Sequence, residues 1–502
     1  MRTHPTTVAA VDLGAESGRV AAVTFDGTRL RLDVTHRFTH TPHPVDGILR
    51  WDLDALWSGI RHGLATLAAG DVPIASVGAD AWGVDYGLLD ADGGLVDDPT
   101  CYRDPRQPVA MARALKAVGP QRIYGATGVQ IMDINTLFAV VSDAAEHPAR
   151  LARATTLVMM PDVVHHLLSA SRVTEYTAAS TTGFYDMARG VWATDLLDDL
   201  GVPTHFLPEV VPPGTDVGPL LPDLARGRLG GARVIVPPGH DTASAVVATP
   251  MSDPRALYIS SGTWSLVGVE VPEPVITDRT RRANITNEGG YAGTIRLLRN
   301  VAGLWLLQAC RRHWATEGTV YSYPELVTLA GTVSGLRSIV NGDAPEFLDG
   351  HDAPSRIQDY CARTGSVVPQ SVAEVVRCVL DSLALGYRHD AEDLHDVTGH
   401  RVPSVNIVGG GANNALLSQL TADAIGVPVH CGPVEATALG NAATQLVSLG
   451  ELGGLSDIRR VIAETTQVTT YSPHQREGWD TAYGQFTRLV AIDRERHGLP
   501  GD

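Results

Sequence analysis

Two stretches of this chain share one design. Val8–Val23 reads VAAVDLGAESGRVAAV and Leu257–Glu270 reads LYISSGTWSLVGVE. In each, an apolar strand runs into a short loop of small polar residues with glycine, and a second apolar strand follows. The likeness is one of pattern rather than identity, and it implies two halves built alike, a degenerate internal duplication. At 502 residues the chain has room for two to four domains of ~100–200 residues each. Hydrophobic residues make up 44% and charged residues 19%, enough apolar material for a core in each half.

The surrounding pattern extends the first unit. Val8–Asp12, Val20–Phe25 and Leu30–Val34 read as strands, the last two joined by an Asp26-Gly27 turn. Trp51–Leu67 has apolar residues at helical spacing, with Asp52 placed to cap it. Ser76–Asp80 and Tyr86–Leu89 read as further strands, so the first ninety residues spell βββαβ. The middle is rich in turns, with a helix predicted over Ala152–Ser169. Glycine and proline concentrate between Pro203 and Pro238, as at a boundary or hinge. Later, Ser371–Val397 is a long periodic helix. Strand Val405–Val408 enters Gly409-Gly410-Gly411, followed by helix Asn413–Ile425 and strand Val427–His430. That order puts three glycines at the carboxyl edge of a sheet, where α/β proteins bind ligands.

Charge and composition exclude several chemistries. A formal charge of −17 repels phosphate backbones and anionic membranes, so neither nucleic acid nor membrane is expected as a partner. Lys116 is the single lysine and lies in a polar helical stretch, which argues against Schiff-base or pyridoxal chemistry. No Gly-Lys-Ser/Thr triplet exists, so phosphoryl transfer would need a cradle other than a P-loop. The five cysteines form no CxxC pair and read as reduced thiols; Cys361 and Cys378 flank a turn and a helix start and could meet in space. No apolar run reaches the ~20 residues of a membrane span, and the cytoplasm is the expected compartment.

Six motifs carry candidate chemistry. In Asp12-Leu-Gly-Ala-Glu-Ser-Gly-Arg19 a strand ends on a carboxylate and the loop can aim N–H groups and the Ser17 hydroxyl at phosphate oxygens; Asp12 there would need a cation, such as magnesium held through water. A β-turn with a solvated aspartate reads the same residues equally well. Ser260-Ser261-Gly262-Thr263-Trp264 is either a second phosphate loop or a serine-rich hairpin. Gly239-His240-Asp241-Thr242-Ala243 follows a strand stopped by two prolines. Asp241 at the helix start is either a cap or a general base, and its position between the two loop units favours the base. Within Gly78–Gly87, Trp82 and Asp85 are candidates for stacking on a sugar and accepting from its hydroxyls, or are core and cap residues. Asn300 and Gln308 bracket an apolar segment, and Gly409–Asn414 offers flat backbone to a base.

In order and spacing these pieces resemble the FGGY carbohydrate kinases, of the actin/hexokinase/heat-shock-ATPase superfamily. The likeness covers nearly the whole chain and rests on VDLGAESGRV, DAWGVDYGLLD with YRDPR, PPGHDTAS, YISSGTWSL, RNVAGLWLLQ, IVGGGANNALLSQL and GPVEATALGN. The resemblance implies an α/β fold of two ribonuclease H-like (actin/hexokinase-like) domains with an interdomain cleft, divided as 1–245 and 246–502. It implies that Ala15, Glu16, Ser17, Gly18, Arg19 and Thr263 contact ATP phosphates, and that Gln308 and Gly410 complete the nucleotide site. Gly83, His240, Asp241, Thr242 and Asn300 would line a ketose pocket, with Asp241 as catalytic base and Asp12 beside Mg2+. Within the family the likeness is nearest to kinases of L-rhamnulose; fuculose, ribulose and xylulose kinases share the scaffold, and an actin-like or chaperone-like ATPase is the rival from another class. A monomer or homodimer is expected. Glu16 departs from the serine of several relatives: harmless if it points outward, in need of a cation if it points inward.

Overall fold

The protein is described by a computed structural model that covers residues 5–347, 350–474 and 476–496. It forms two compact units, each assembled from separated stretches of sequence. The first comprises Met1–Pro250, Glu270–Leu297 and Ala436–Thr466; the second comprises Met251–Val269, Leu298–Glu435 and Gln467–Asp502.

The first unit is built on six strands: β1 (Thr6–Leu13), β2 (Ser17–Phe25), β3 (Leu30–Thr39), β4 (Ile74–Ala81), β5 (Asp216–Pro219) and β6 (Arg233–Ile235). They lie in the order β5-β6-β4-β1-β2-β3. β1, β2 and β3 are antiparallel neighbours, whereas β4 and β6 run parallel to β1 and to each other. β1 is buried from Thr7 to Leu13, with an apolar run at Val8–Val11, because the sheet is covered on both faces. On one side helix Leu53–Ala69 lays Leu56, Ile60 and Leu64 against the sheet. A Cβ at Gly59 or Gly63 of this helix would collide with Phe38 or Val20, so both positions let the helix sit close to the strands. Asp52 caps the helix through the Ala55 amide (2.9 Å). On the other side helix Ala436–Ser448 supplies Asn441 and Gln445, whose amides satisfy backbone oxygens of Gly78 and Ala9.

The second unit repeats the plan. Its strands are β7 (Leu257–Ser261), β8 (Ser265–Val271), β9 (Ile295–Val301), β10 (Val405–Val408), β11 (Val429–Cys431) and β12 (Thr469–Tyr471). They lie in the order β9-β8-β7-β10-β11-β12, and a seventh strand, Thr286–Gly289, lies at the edge beyond β9. β7 is antiparallel to β8 and parallel to β10, as β1 is antiparallel to β2 and parallel to β4. The duplication read from the two glycine loops is therefore a duplication of topology. The long helix Val372–Thr398 starts at a capping box made by Ser371 and Glu374.

One local expectation changes. Ala152–Ser169 is not one helix: helix Pro148–Arg153 ends, strand Thr156–Met159 follows, and helix Met160–Ser169 begins at Pro161. The strand pairs with Tyr86–Leu89, a contact 70 residues away in sequence (Met159 opposite Tyr86, Thr156 opposite Leu89) that overrides local helical spacing. A hairpin of Pro42–Val45 and Ile48–Trp51 also precedes the first helix. Among the described residues no helix is long and apolar enough to cross a membrane.

Candidate active site

Three aspartates gather where strands of the first unit end. Asp12 and Asp80 stand opposite each other on the parallel strands β1 and β4. One residue beyond Asp80, the Ala81 amide donates to Gly239 O (2.9 Å), which brings the Gly239-His240-Asp241 turn alongside. Asp12 accepts from Arg19 Nε (2.9 Å) and Nη2 (2.5 Å), both on Oδ2. The antiparallel register sets that pair, since Asp12 faces Arg19 across β1 and β2. Asp80 is fully buried; Asn441 donates to its Oδ2 (2.6 Å), and its Oδ1 has no hydrogen-bond partner among the described residues. Burial first, and the charge of Asp12 second, push the Asp80 carboxyl well above the usual carboxylate range. Among the described residues no three or more ligating groups converge to cage an ion directly. Clustered carboxylates with unused oxygens nevertheless suit a hard divalent cation that keeps its own waters.

Asp241 is the most accessible of the three, with 31% of its side chain exposed. It is the first residue of helix Asp241–Val247, and no side chain caps that helix. Asp241 Oδ1 accepts from the Thr242 amide (2.5 Å) and hydroxyl (3.2 Å), and His240 Nε2 lies 3.4 Å from the same oxygen. Oδ2 takes no part in these contacts. Desolvation raises the Asp241 carboxyl, His240 opposes that, and Asp12 adds to it.

A buried scaffold holds this turn. Glu175 Oε2 accepts from the Gly239 amide (2.8 Å), the Thr177 hydroxyl (2.6 Å) and the Ala178 amide (3.0 Å). Burial pushes its carboxyl up to about 7 despite these donors. The Thr177 hydroxyl accepts from the His240 amide (3.1 Å). Helix Asp241–Val247 meets helix Ala436–Ser448 backbone to backbone, and a Cβ at Gly440 would stand 1.8 Å from Ser244 O. Gly83 completes the group: a Cβ there would be 3.2 Å from both His240 Nε2 and Thr181 Cγ2.

The glycine loop of the first unit is a tight hairpin in which the Gly14 amide donates to Ser17 O (2.9 Å). Glu16 and Ser17 are exposed and Ala15 half-buried, while Gly18 is buried where a side chain would strike Phe38 and Leu13. The Glu16 side chain therefore meets solvent rather than the core. His40 Nε2 donates to Gly14 O (2.9 Å) and the ring stacks on Trp82, bracing the loop.

In the second unit Thr263 and Gln308 meet. Gln308 Nε2 donates to Thr263 Oγ1 (3.2 Å), and the Trp305 amide donates to Thr263 O (3.0 Å), tying the loop to the start of helix Trp305–Thr316. The glycine run crosses the same loop: a Cβ at Gly411 would stand 2.0 Å from Ser261 Oγ, whereas Gly410 is exposed with nothing within 4 Å. That open position leaves backbone free to face a flat ligand. Asn300 lies half-buried near the end of β9.

Trp82 and Asp85 are placed as core residues. Both are buried, and Asp85 Oδ2 is occupied by the indole N–H groups of Trp82 (2.7 Å) and Trp51 (2.6 Å). Asp80, Glu175, Arg296 and Asn441 were not singled out from sequence. Asp80 had a signal: like Asp12, it is a carboxylate ending an apolar strand. The others depend on contacts across more than 50 residues. Cys361 and Cys378 do meet: both are buried and free, and a hydrogen bond between them lowers the Cys361 thiol and raises that of Cys378.

The fold and sequence have well-characterised counterparts. The N-terminal domain of the FGGY family of carbohydrate kinases matches residues 7–248, and its C-terminal domain matches 257–449. The rhamnulokinase of Bacteroides thetaiotaomicron is 40% identical over 96% of this chain and 99% of its own length. That of Yersinia pestis is 38% identical over 97% and 99%. Among solved structures, a xylulose kinase from Lactobacillus acidophilus superposes with TM-score 0.79 at 18% identity, covering 98% of each chain. Plasmodium falciparum glycerol kinase with ADP gives 0.76 at 14%, covering 97% of this chain and 98% of its own. A full-length match at this identity, on a fold shared with sugar and polyol kinases, leaves one conclusion: the chain belongs to the FGGY family of carbohydrate kinases.

Proposed function

We propose that this protein transfers the γ-phosphoryl group of ATP to L-rhamnulose, giving L-rhamnulose 1-phosphate. The observation that carries the reading is Asp241, a carboxylate with one oxygen fixed by Thr242 and His240 and the other unengaged at an accessible surface. The choice of ketose is supported by the names of relatives near 40% identity over nearly full length.

Phosphoryl transfer needs little covalent help from a protein; positioning and charge neutralisation dominate. Asp241 Oδ2 accepts the proton of the attacking sugar hydroxyl as that oxygen bonds to phosphorus and ADP leaves. Thr242 and His240 hold the carboxylate in orientation, and Gly83 leaves room for the sugar beside His240. Asn300 adds a sugar contact. The hairpin from Ala15 to Arg19 and the Thr263 loop contact the phosphates, with Gln308 and Gly410 at the nucleotide. Asp12, which accepts from Arg19 at Oδ2, is the residue suited to hold Mg2+ through water. When bound, that ion offsets the negative charge of phosphates and carboxylates. The functional division falls near 245/246, with sugar and base in the N-terminal part and the second phosphate loop in the C-terminal part.

The test is an ADP-coupled assay across L-rhamnulose, L-fuculose, L-ribulose and D-xylulose, with the phosphate located by 31P NMR. L-rhamnulose should give the highest kcat/KM and a 1-phosphate. Higher efficiency with another ketose, or no sugar-dependent ADP release, would refute the assignment.

A further inference from the structure

We propose that Arg296 is a positioning residue for phosphoryl transfer, acting by fixing the ring tautomer of His240. This rests on the reading of Asp241 as the base. Arg296 is a fully buried guanidinium, an uncommon placement that demands partners. Its Nε donates to Gly289 O (2.8 Å) and its Nη2 donates to His240 Nδ1 (3.1 Å). Nη2 also lies 3.0 Å from Glu288 Oε2, and Nη1 is buried with no hydrogen-bond partner among the described residues. A structural ion pair would be complete with Glu288 alone; here the fork is turned so that a donor meets the imidazole.

The consequence follows from what each group can do. A guanidinium only donates. Nδ1 must therefore present its lone pair, and the ring proton resides on Nε2. Glu288 works against this, because its Oε2 lies 3.3 Å from Nδ1 and would welcome a proton there. Arg296 outweighs it by neutralising that carboxylate and by aligning its own N–H with Nδ1.

The other face of the ring is the functional one. Nε2 lies 3.4 Å from Asp241 Oδ1 and 3.2 Å from where a Cβ at Gly83 would stand. With the proton on Nε2, His240 adds a third donor to Oδ1 and leaves Oδ2 to take the proton of the sugar hydroxyl. With the opposite tautomer, a lone pair would face the carboxylate and turn it away. Arg296 touches neither Asp241 nor the sugar; it decides which of two rings Asp241 meets.

The test begins with the unmodified protein labelled with 15N-histidine. His240 is assigned by the signals lost in His240→Asn. The expected spectrum has a bare Nδ1 and a protonated Nε2; a protonated Nδ1 would overturn the proposal whatever the variants do. Kinetics then ask whether Arg296 acts through the ring. Arg296→Lys keeps a positive charge against Glu288 but lacks the fork. It should lower kcat by ~10–10²-fold, the scale of a small misplacement at the reacting centre, with KM for ATP within about twofold. In the His240→Asn background the same substitution should change kcat by less than about threefold, since contacting residues couple. Equal losses in both backgrounds would reduce Arg296 to a structural role and refute the proposal. Absence of turnover with every ketose in the unmodified protein would instead sink the kinase reading, while the ring spectrum still decides the tautomer.

Discussion

At the scale of single residues, the two oxygens of Asp241 stand in different circumstances, and that difference is the chemistry. Oδ1 gathers donors from Thr242 and His240, and Oδ2 is left to act. Desolvation raises the carboxyl, so the base loses its charge at a higher pH than an ordinary aspartate. A base must be ionised to work, so kcat/KM should fall as pH drops, with a midpoint above the usual carboxylate value of 3.8. A pH–rate profile checks this; a midpoint at or below that value would contradict it. Gly83 makes a second residue-scale claim. Gly83→Ala would press a methyl to 3.2 Å from His240 Nε2 and should raise KM for the sugar by ~10-fold, with KM for ATP unchanged. Asp241, His240 and Gly83 were legible because they fall in compact motifs. Arg296 and Asn441 were not, because each gains its meaning only from a partner more than 50 residues away.

At the scale of elements, the strands and capped helices were legible from periodicity and cap residues. The first helix and the helix after Ser371 begin within two residues of their expected starts. The strand Thr156–Met159 was not, because its pairing with Tyr86–Leu89 decides it. Trp82 and Asp85 kept two readings open for a related reason. Aromatic and acidic residues beside a strand read as a sugar platform, yet the carboxylate is consumed by two indoles inside the core. Burial pushes Asp85 from 3.8 up to about 7. Between those values the folded protein holds a proton that the unfolded chain has released, so this contribution to stability is full below about pH 4 and declines as pH rises through about 7. Asp85→Asn stays neutral throughout. Its stability relative to the parent, from urea unfolding at pH 5 and pH 8, should therefore rise with pH by an amount on the order of 1–3 kcal/mol. A difference constant with pH would contradict the cause assigned here. Gly411→Ala would drive a methyl into Ser261 and should cost ~1–3 kcal/mol of stability, as overpacking does.

For the molecule as a whole, the duplication was legible because both glycine loops lie between apolar strands, and each unit repeats one strand order. The interleaving was not. Helix Ala436–Ser448 returns to the first unit, and only its contacts with β1 and β4 reveal that. A ligand that binds the folded state stabilises it by RT ln(1 + [L]/Kd), about 2.7 kcal/mol at a hundredfold excess over Kd. ATP with Mg2+ and L-rhamnulose should each raise the melting temperature, whereas an actin-like or chaperone-like ATPase would respond to nucleotide alone. The most direct test of the account is Asp241→Asn, measured for turnover and for binding together. Loss of the base should lower kcat by ~10²–10⁴-fold, with dissociation constants for ATP and L-rhamnulose within a few-fold of the parent. Turnover near that of the parent, or a loss confined to binding, would contradict it.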